Sequence, residues 1–579
     1  MPADHPAVLA LSRTACLATL AMWSWHAPLR AQSVAEPAQE TAWAAYQTAP
    51  SRASAYFAGG LRAYRDKDYN KSVANYCKGL LLRPDSPTEA YNAACSAARS
   101  GQPDLAFALL AHAFDAGWLN APHLRKDTDL EALHGDARWQ AAMARASQAE
   151  NAVATRWQST AFETRFRENI STSDKAAGAA RLWSEVKYNF AHFDQVPELD
   201  WDQAYMDALP KVLAAPTTYA YYRELQRLVA KLHDGHSNVY LPSQLRSTMC
   251  TPGLATRLVE GRVLAVAVYD RDLLEAGLIV GSEITAINGV DVVTYANDNV
   301  APFVCASTKQ DRARRMFGSD LLRGSQQETV ELTFVAADGA QPTVVTAARQ
   351  SRLAAGMRRF AQPDVQFESL GDSGVGYLAL NSFGNSASVR KFVSLLPKIQ
   401  ATKGLVIDLR KNGGGNSAVG WEILSYFSKR AFATTRWHTL QYRPTMRAWG
   451  RQPITRYTRT LPVYDKVKPN TYDKPVVLLI GPQTFSAAED MAAAFDQLGR
   501  GKMIGTATGG STGQPLPFDL PGGGSARVCT KHDFYADGTE FVGIGIQPDL
   551  VVAPTIADVR AGVDTVLQAA RDELGAPGK

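Results

Sequence analysis

The chain has 579 residues, of which 46% are hydrophobic and 20% charged, and its formal charge is +5. It is too long for one hydrophobic core, so roughly three or four domains are expected. Its lysines and arginines are scattered without a long basic block, which leaves no electrostatic case for nucleic acid as a partner.

Residues 1–31 read as a signal peptide. Arg13 precedes an uncharged stretch from Thr14 to Trp25, and Ala31 offers a small residue for cleavage before Gln32. An amphipathic first helix is the alternative, and Arg13-Thr14-Ala15 ahead of Cys16 is a poor lipobox. No other apolar run reaches the length of a membrane span. A periplasmic or secreted protein is therefore expected. Without Cys16 five cysteines remain, Cys77, Cys95, Cys250, Cys305 and Cys529. That number is odd and the spacing sparse, so neither a disulfide framework nor a metal site is indicated. Pairing of Cys250 with Cys305 stays open.

Residues 52–150 carry helical patterns: Phe57, Leu61 and Tyr64, then Val73, Tyr76, Cys77 and Leu80, with a stop at Gly101-Gln102-Pro103. Tyr91 to Cys95 with Ala106 to Ala116 resembles a tetratricopeptide repeat of roughly 34 residues. About two such units fit, too few for an independent array. A spacer or docking module is the plainer reading, through which a protein partner would bind.

Residues 160–245 continue as helices, with apolar faces through Leu182, Trp183, Val186 and Phe190 and through Trp201, Tyr205 and Leu209. They end at Leu232-His233-Asp234-Gly235-His236-Ser237, where a glycine turn precedes a strand. Residues 251–350 switch to short strands. Ala276-Gly277-Leu278, Gly281, Ile284 and Ile287-Asn288-Gly289 resemble a PDZ domain, which implies peptide binding by strand addition. Any small β-rich domain with a glycine turn is the alternative. Residues 357–579 alternate apolar strands with helices and predict an α/β core. The expected fold is a multidomain α+β chain.

Two segments of that core carry candidate chemistry. Leu405 to Leu409 runs into Asn412 and the triplet Gly413-Gly414-Gly415, and Val476 to Ile480 runs into Ser486-Ala487-Ala488-Glu489. Exposed backbone N–H groups beside a hydroxyl are what acyl transfer requires. Ser486 with Glu489 three residues on is equally a capping box, and the glycines alone are a tight turn. Neither a Lys-Ser/Thr nor a dinucleotide spacing follows the glycines. Among the ten histidines, His236 in the Asp234-Gly235-His236 turn is the candidate base, and His233 is its rival.

Taken in order, LHDGHSNVYLP, GLVIDLRKNGGG, GPQTFSAAEDMAAAF and GIGIQPDLVV resemble the C-terminal-processing, or tail-specific, serine peptidases, including the tricorn-core branch. The resemblance covers roughly residues 170–575. It implies a core of the crotonase-like type, Ser486 as nucleophile, an oxyanion hole at Gly414 and Ala487, and no metal or cofactor. The branch with a lysine base would place that lysine where Ser511 stands. The tricorn-like branch implies His236 as base, with Glu540 as the matching glutamate. Its serine preceding the histidine is Gly235 here, and Ser237 is a candidate substitute. The implied function is cleavage of extended or unfolded polypeptides through an acyl-enzyme at Ser486. A catalytically inactive peptide- or ligand-binding protein on the same fold is the alternative, as is a scaffold whose helical N-terminal module carries the function.

Overall fold

The computed structural model describes residues 52–575, apart from 119, 158, 340, 351–361 and 460–462. The proposed signal peptide lies outside the described residues. The chain forms two compact units, the first ending at Thr160 and the second beginning at Ala161.

The first unit is helical. Helices 52–65, Tyr69–Leu82, Pro87–Arg99 and Pro103–Asp115 are followed by a short helix at Ala121–Lys126, a 3-10 turn at Thr128–Leu133 and the helix Ala137–Trp157. Proline starts the helices at Pro87 and Pro103, where its missing N–H has no intrahelical partner to lose. Phe57, Tyr76, Leu80, Tyr91, Leu109 and Trp118 lie in one core. Leu61 departs from the expected apolar face and is 42% exposed. The 52–65 helix packs through Phe57 instead, whose ring lies where a side chain at Gly79 would otherwise reach.

The second unit begins with the helices Thr172–Asn189, Trp201–Ala214 and Thr218–Ala230. These residues do not form a segment of their own. The strand Asn238–Tyr240 pairs antiparallel with Gly524–Cys529, which pairs with Pro515–Leu520. Phe518, Leu520, Ala526 and Val528 from the far end of the chain join the core of these helices. The turn carrying His236 is thereby fixed to the C-terminal half.

Residues 254–348 form an antiparallel sheet in the order Leu254–Val259, Arg262–Val268, Glu283–Ile287, Thr329–Val335, Thr343–Ala348, with its own buried core. The remaining sheet has six strands in the order Val365–Ser369, Val375–Leu380, Gly404–Asp408, Val476–Ile480, Lys502–Gly505, Leu550–Val551. Its first pair is antiparallel and the rest are parallel. Leu405, Ile407, Val476, Leu478 and Ile480 face one core, and Val406, Val477 and Leu479 face another. Burial on both faces explains why these strands read as unbroken apolar runs. Each fully buried Leu or Ile contributes about 2 kcal/mol of transfer free energy.

Candidate active site

The two central parallel strands end side by side, and ligand sites in open α/β sheets lie beyond such carboxyl ends. After the first, Asn412 is fully buried and fixes the glycine turn. Its Oδ1 accepts the Gly414 N–H at 2.9 Å, its Nδ2 donates to the Leu380 carbonyl at 2.9 Å, and its own carbonyl accepts the Phe485 N–H at 3.1 Å. Gly414 has φ +94°, and a Cβ there would lie 2.7 Å from both the Phe485 oxygen and the Ser486 Cβ. Only glycine accommodates this conformation and approach.

After the second strand, Ser486 sits at φ +57°, ψ −128° before the helix Ala487–Leu498. A serine in this region is strained by about 1–3 kcal/mol, the kind of turn that lifts a nucleophile out of its chain. Its hydroxyl lies 3.0 Å from His236 Nε2. The capping geometry coexists with this contact, because Glu489 Oε2 accepts the Ser486 N–H at 3.2 Å. Ala487 opens the helix, so its N–H has no intrahelical partner. A Cβ on Gly414 would stand 3.0 Å from that nitrogen.

His236 is 3% exposed, and the Phe485 ring stacks on it with centroids 4.7 Å apart. Its Nδ1 lies 2.9 Å from Ser511 Oγ, which in turn lies 3.4 Å from Asp234 Oδ1. Burial pushes the His236 imidazole down to about 3, against the pull of the Asp234 charge, so it is neutral at neutral pH. Asp234 is held below its ordinary value although burial opposes ionisation, because His192, His236, the Ser237 hydroxyl and the His236 N–H favour its charge.

Glu489 is fully buried under this array. It accepts from Thr508 Oγ1 at 2.5 Å and Gly510 N at 2.7 Å on one oxygen, and from Ser511 N at 2.9 Å, Ser486 N at 3.2 Å and Thr512 Oγ1 at 3.3 Å on the other. Burial raises its pKa to about 7 against those hydrogen bonds.

Of the residues predicted from sequence, Ser486, His236, Gly414 and Ala487 converge at one place. Glu540 does not join the second imidazole nitrogen of His236. Its Oε2 lies 2.7 Å from His532 Nε2, its side chain is 51% exposed, and Ser511 occupies the position expected of it. Ser237 likewise does not orient His236: its hydroxyl donates to Asp234 Oδ2 at 2.6 Å and accepts the Cys529 N–H at 3.1 Å. His233 is exposed at φ +48°. Gly414 departs from expectation in one respect, since Asn412 already receives the N–H assigned to an oxyanion. Among the described residues no disulfide joins Cys250 to Cys305. Behind the relay His192, Asp234 and Cys529 offer ligand atoms within 4.8 Å of one another, although Ser237 and the His236 N–H already occupy Asp234.

Sequence reasoning missed Ser511, Asn412 and the part played by Asp234. The first was flagged only as a missing lysine, and its contact with His236 spans 275 residues of sequence. Asn412 carried a weak local signal, as an Asx residue before glycines.

Residues 374–552 match the model of peptidase family S41. The chain is 28% identical over 212 residues to a carboxy-terminal-processing protease of Bartonella bacilliformis, a match covering 35% of this chain and 44% of that protein. It is 27% identical over 305 residues to a carboxyl-terminal-processing protease of Synechocystis sp., covering 52% of this chain and 62% of that one. These matches thus span about half the length of the curated relatives. Among solved structures, mature CPAF aligns with a TM-score of 0.54 at 15% identity, over 70% of this chain and 96% of that one, a likeness of fold. Over residues 374–552 the chain is thus similar to peptidase family S41.

Proposed function

We propose that this protein is a serine peptidase that cleaves extended or unfolded polypeptides through an acyl-enzyme at Ser486. The observation that carries this reading is the continuous run from Ser486 Oγ to His236 Nε2 at 3.0 Å and from His236 Nδ1 to Ser511 Oγ at 2.9 Å. Contacts at these distances support reading Ser486 as nucleophile, His236 as base and Ser511 as orienting group.

In the proposed reaction Ser486 Oγ attacks the scissile carbonyl and His236 Nε2 takes its proton. The His236 Nδ1–H donates to Ser511, whose hydroxyl donates to Asp234, so a buried carboxylate balances the imidazolium through one hydroxyl. The oxyanion forms against the Ala487 N–H, where the helix N-terminus favours negative charge. Gly414 supplies the second N–H, shared with Asn412 Oδ1. His236 then protonates the leaving amine, and water releases the acyl group.

The roles of Asp234 and Ser511 extend the sequence reading, with Ser511 in place of Glu540. The sheet of residues 254–348 is proposed to hold the substrate as an added strand, in the manner of a PDZ domain. Export through residues 1–31 completes the reading. Among the described residues no helix is long and apolar enough to cross a membrane.

A fluorophosphonate probe with peptide mapping tests the assignment. Label is expected on Ser486, lost in Ser486→Ala and His236→Ala and retained in His233→Ala. Folded protein that stays unlabelled, or cleavage of an extended peptide that survives Ser486→Ala, would overturn it.

A further inference from the structure

The helical unit holds a second cluster of chemically potent side chains, made by local geometry. Tyr91 and Cys95 are four residues apart on the helix Pro87–Arg99 and share one face. Asp127 caps the 3-10 turn Thr128–Leu133, its Oδ1 accepting the Asp129 N–H at 3.0 Å. This brings both carboxylates to the helix face carrying the thiol. His123 lies one turn before Asp127 in the helix Ala121–Lys126.

We propose that Cys95, Asp127, Asp129 and His123 form a binding site for a divalent transition metal of the zinc type. Asp127 Oδ2 lies 3.6 Å from Cys95 Sγ and 3.3 Å from His123 Nε2. With bonds of about 2.3 Å to sulfur and about 2.1 Å to nitrogen or oxygen, a tetrahedral zinc site has edges of about 3.4–3.6 Å. Both separations fall close to that. Cys95 Sγ and ligand oxygens of Asp127 and Asp129 lie within 4.8 Å of one another, so a contraction of at most about 1 Å brings Asp129 to tetrahedral distance from the other two. The His123 side chain is 55% exposed, and rotation of its imidazole from its place beside Asp127 supplies the fourth ligand.

The surroundings fit a cation. The Tyr91 hydroxyl donates to Asp127 Oδ2 at 2.7 Å and the Tyr64 hydroxyl donates to Asp129 Oδ2, an outer shell that fixes both carboxylates. Against two carboxylates and a thiol stands Arg99, 3.9 Å from Asp129 and 46% exposed. Binding replaces the S–H bond by an S–metal bond, and the proton leaves to solvent. A mixed thiolate, imidazole and carboxylate set selects against calcium and magnesium, which take oxygen ligands. Entry is open, since the side chains of Asp129 and His123 are 24% and 55% exposed while Cys95 sits at the floor, 4% exposed.

The site stands apart from the serine chemistry, and its test needs no peptidase activity. The full chain is stripped with chelator, loaded with Co2+ or Zn2+ and passed through gel filtration. About one metal ion per chain is expected, with a near-ultraviolet thiolate-to-cobalt charge-transfer band that disappears in Cys95→Ser. His123→Ala, a change at an exposed position, is expected to weaken metal affinity by about 10-fold or more. If Cys95→Ser fails to fold by circular dichroism, His123→Ala and Asp129→Asn carry the same comparison. No retained metal, a band unchanged by these variants, or a band lost in Cys529→Ser and kept in Cys95→Ser, overturns the assignment.

Discussion

Ser511→Ala separates the proposed relay from a bare Ser486–His236 pair. The substitution deletes the hydroxyl between His236 Nδ1 and Asp234 Oδ1, 2.9 Å and 3.4 Å away. In the resting enzyme His236 is neutral, and the lost bond is of the ordinary kind, worth about 1 kcal/mol. In the transition state the imidazole is charged, and a hydrogen bond to a charged group contributes about 1.5–3 kcal/mol. Because Ser511 is fully buried, no bulk water replaces its hydroxyl. The difference, about 0.5–2 kcal/mol, falls on the barrier, so kcat should drop roughly 2- to 30-fold while KM stays nearly constant. The assay is steady-state cleavage of an internally quenched extended peptide, with urea denaturation to show that the variant folds. A folded Ser511→Ala enzyme with kcat equal to that of wild type would refute the relay.

Three further outcomes follow from the same geometry. Gly414→Ala places a methyl 2.7 Å from Ser486 Cβ and 3.0 Å from Ala487 N, so peptidase activity should fall by at least the 10²–10³-fold typical of a lost oxyanion donor; near-normal turnover in a peptide assay would contradict it. Gly235→Ser introduces a Cβ 2.8 Å from the Phe485 ring and 3.0 Å from Ser511 Oγ, and probe labelling of Ser486 should slow sharply, an effect absent if position 235 has room. Glu489 is raised from 4.5 to about 7, so its proton stabilises the fold below about pH 4.5, and that contribution, about 3 kcal/mol, is lost as pH rises through 7. Denaturation of wild type and Glu489→Gln should diverge accordingly between pH 4.5 and 8, and parallel curves would rule this out.

Local chemistry made much of the molecule legible. The buried parallel strands announced themselves as Val476 to Ile480 and Leu405 to Leu409, because burial on both faces requires apolar residues throughout. Ser486 and His236 were legible through their turns. The orienting group was not, because the bond from His236 to Ser511 is a tertiary event with no periodicity or spacing to reveal it. Glu540 was supplied by the resemblance alone, and in the fold it lies 2.7 Å from His532 Nε2 across a local turn instead. The partner of the short strand Asn238–Tyr240 was not legible either, since it lies almost three hundred residues later, at Ser525 to Arg527.

Gly235 is the residue at which the sequence looked least like an enzyme, and the packing around it reverses that impression. A side chain there would collide with both Phe485 and the Ser511 hydroxyl. The two positions therefore exclude each other, and a hydroxyl carried at 511 leaves glycine as the residue that fits at 235. Ser511 is itself held by its N–H on Glu489 Oε2, and its carbonyl accepts the Ser486 N–H at 3.1 Å. Ser486, the proposed nucleophile, and Ser511, which lies 2.9 Å from the proposed base, thus hang from one buried carboxylate. That shared anchorage offers a physical reason why Ser486 tolerates a conformation costing about 1–3 kcal/mol: two acceptors fix its N–H, and relaxing the backbone would break both bonds. An arrangement whose only purpose was to cap a helix would need neither the strain nor the imidazole 3.0 Å from the hydroxyl.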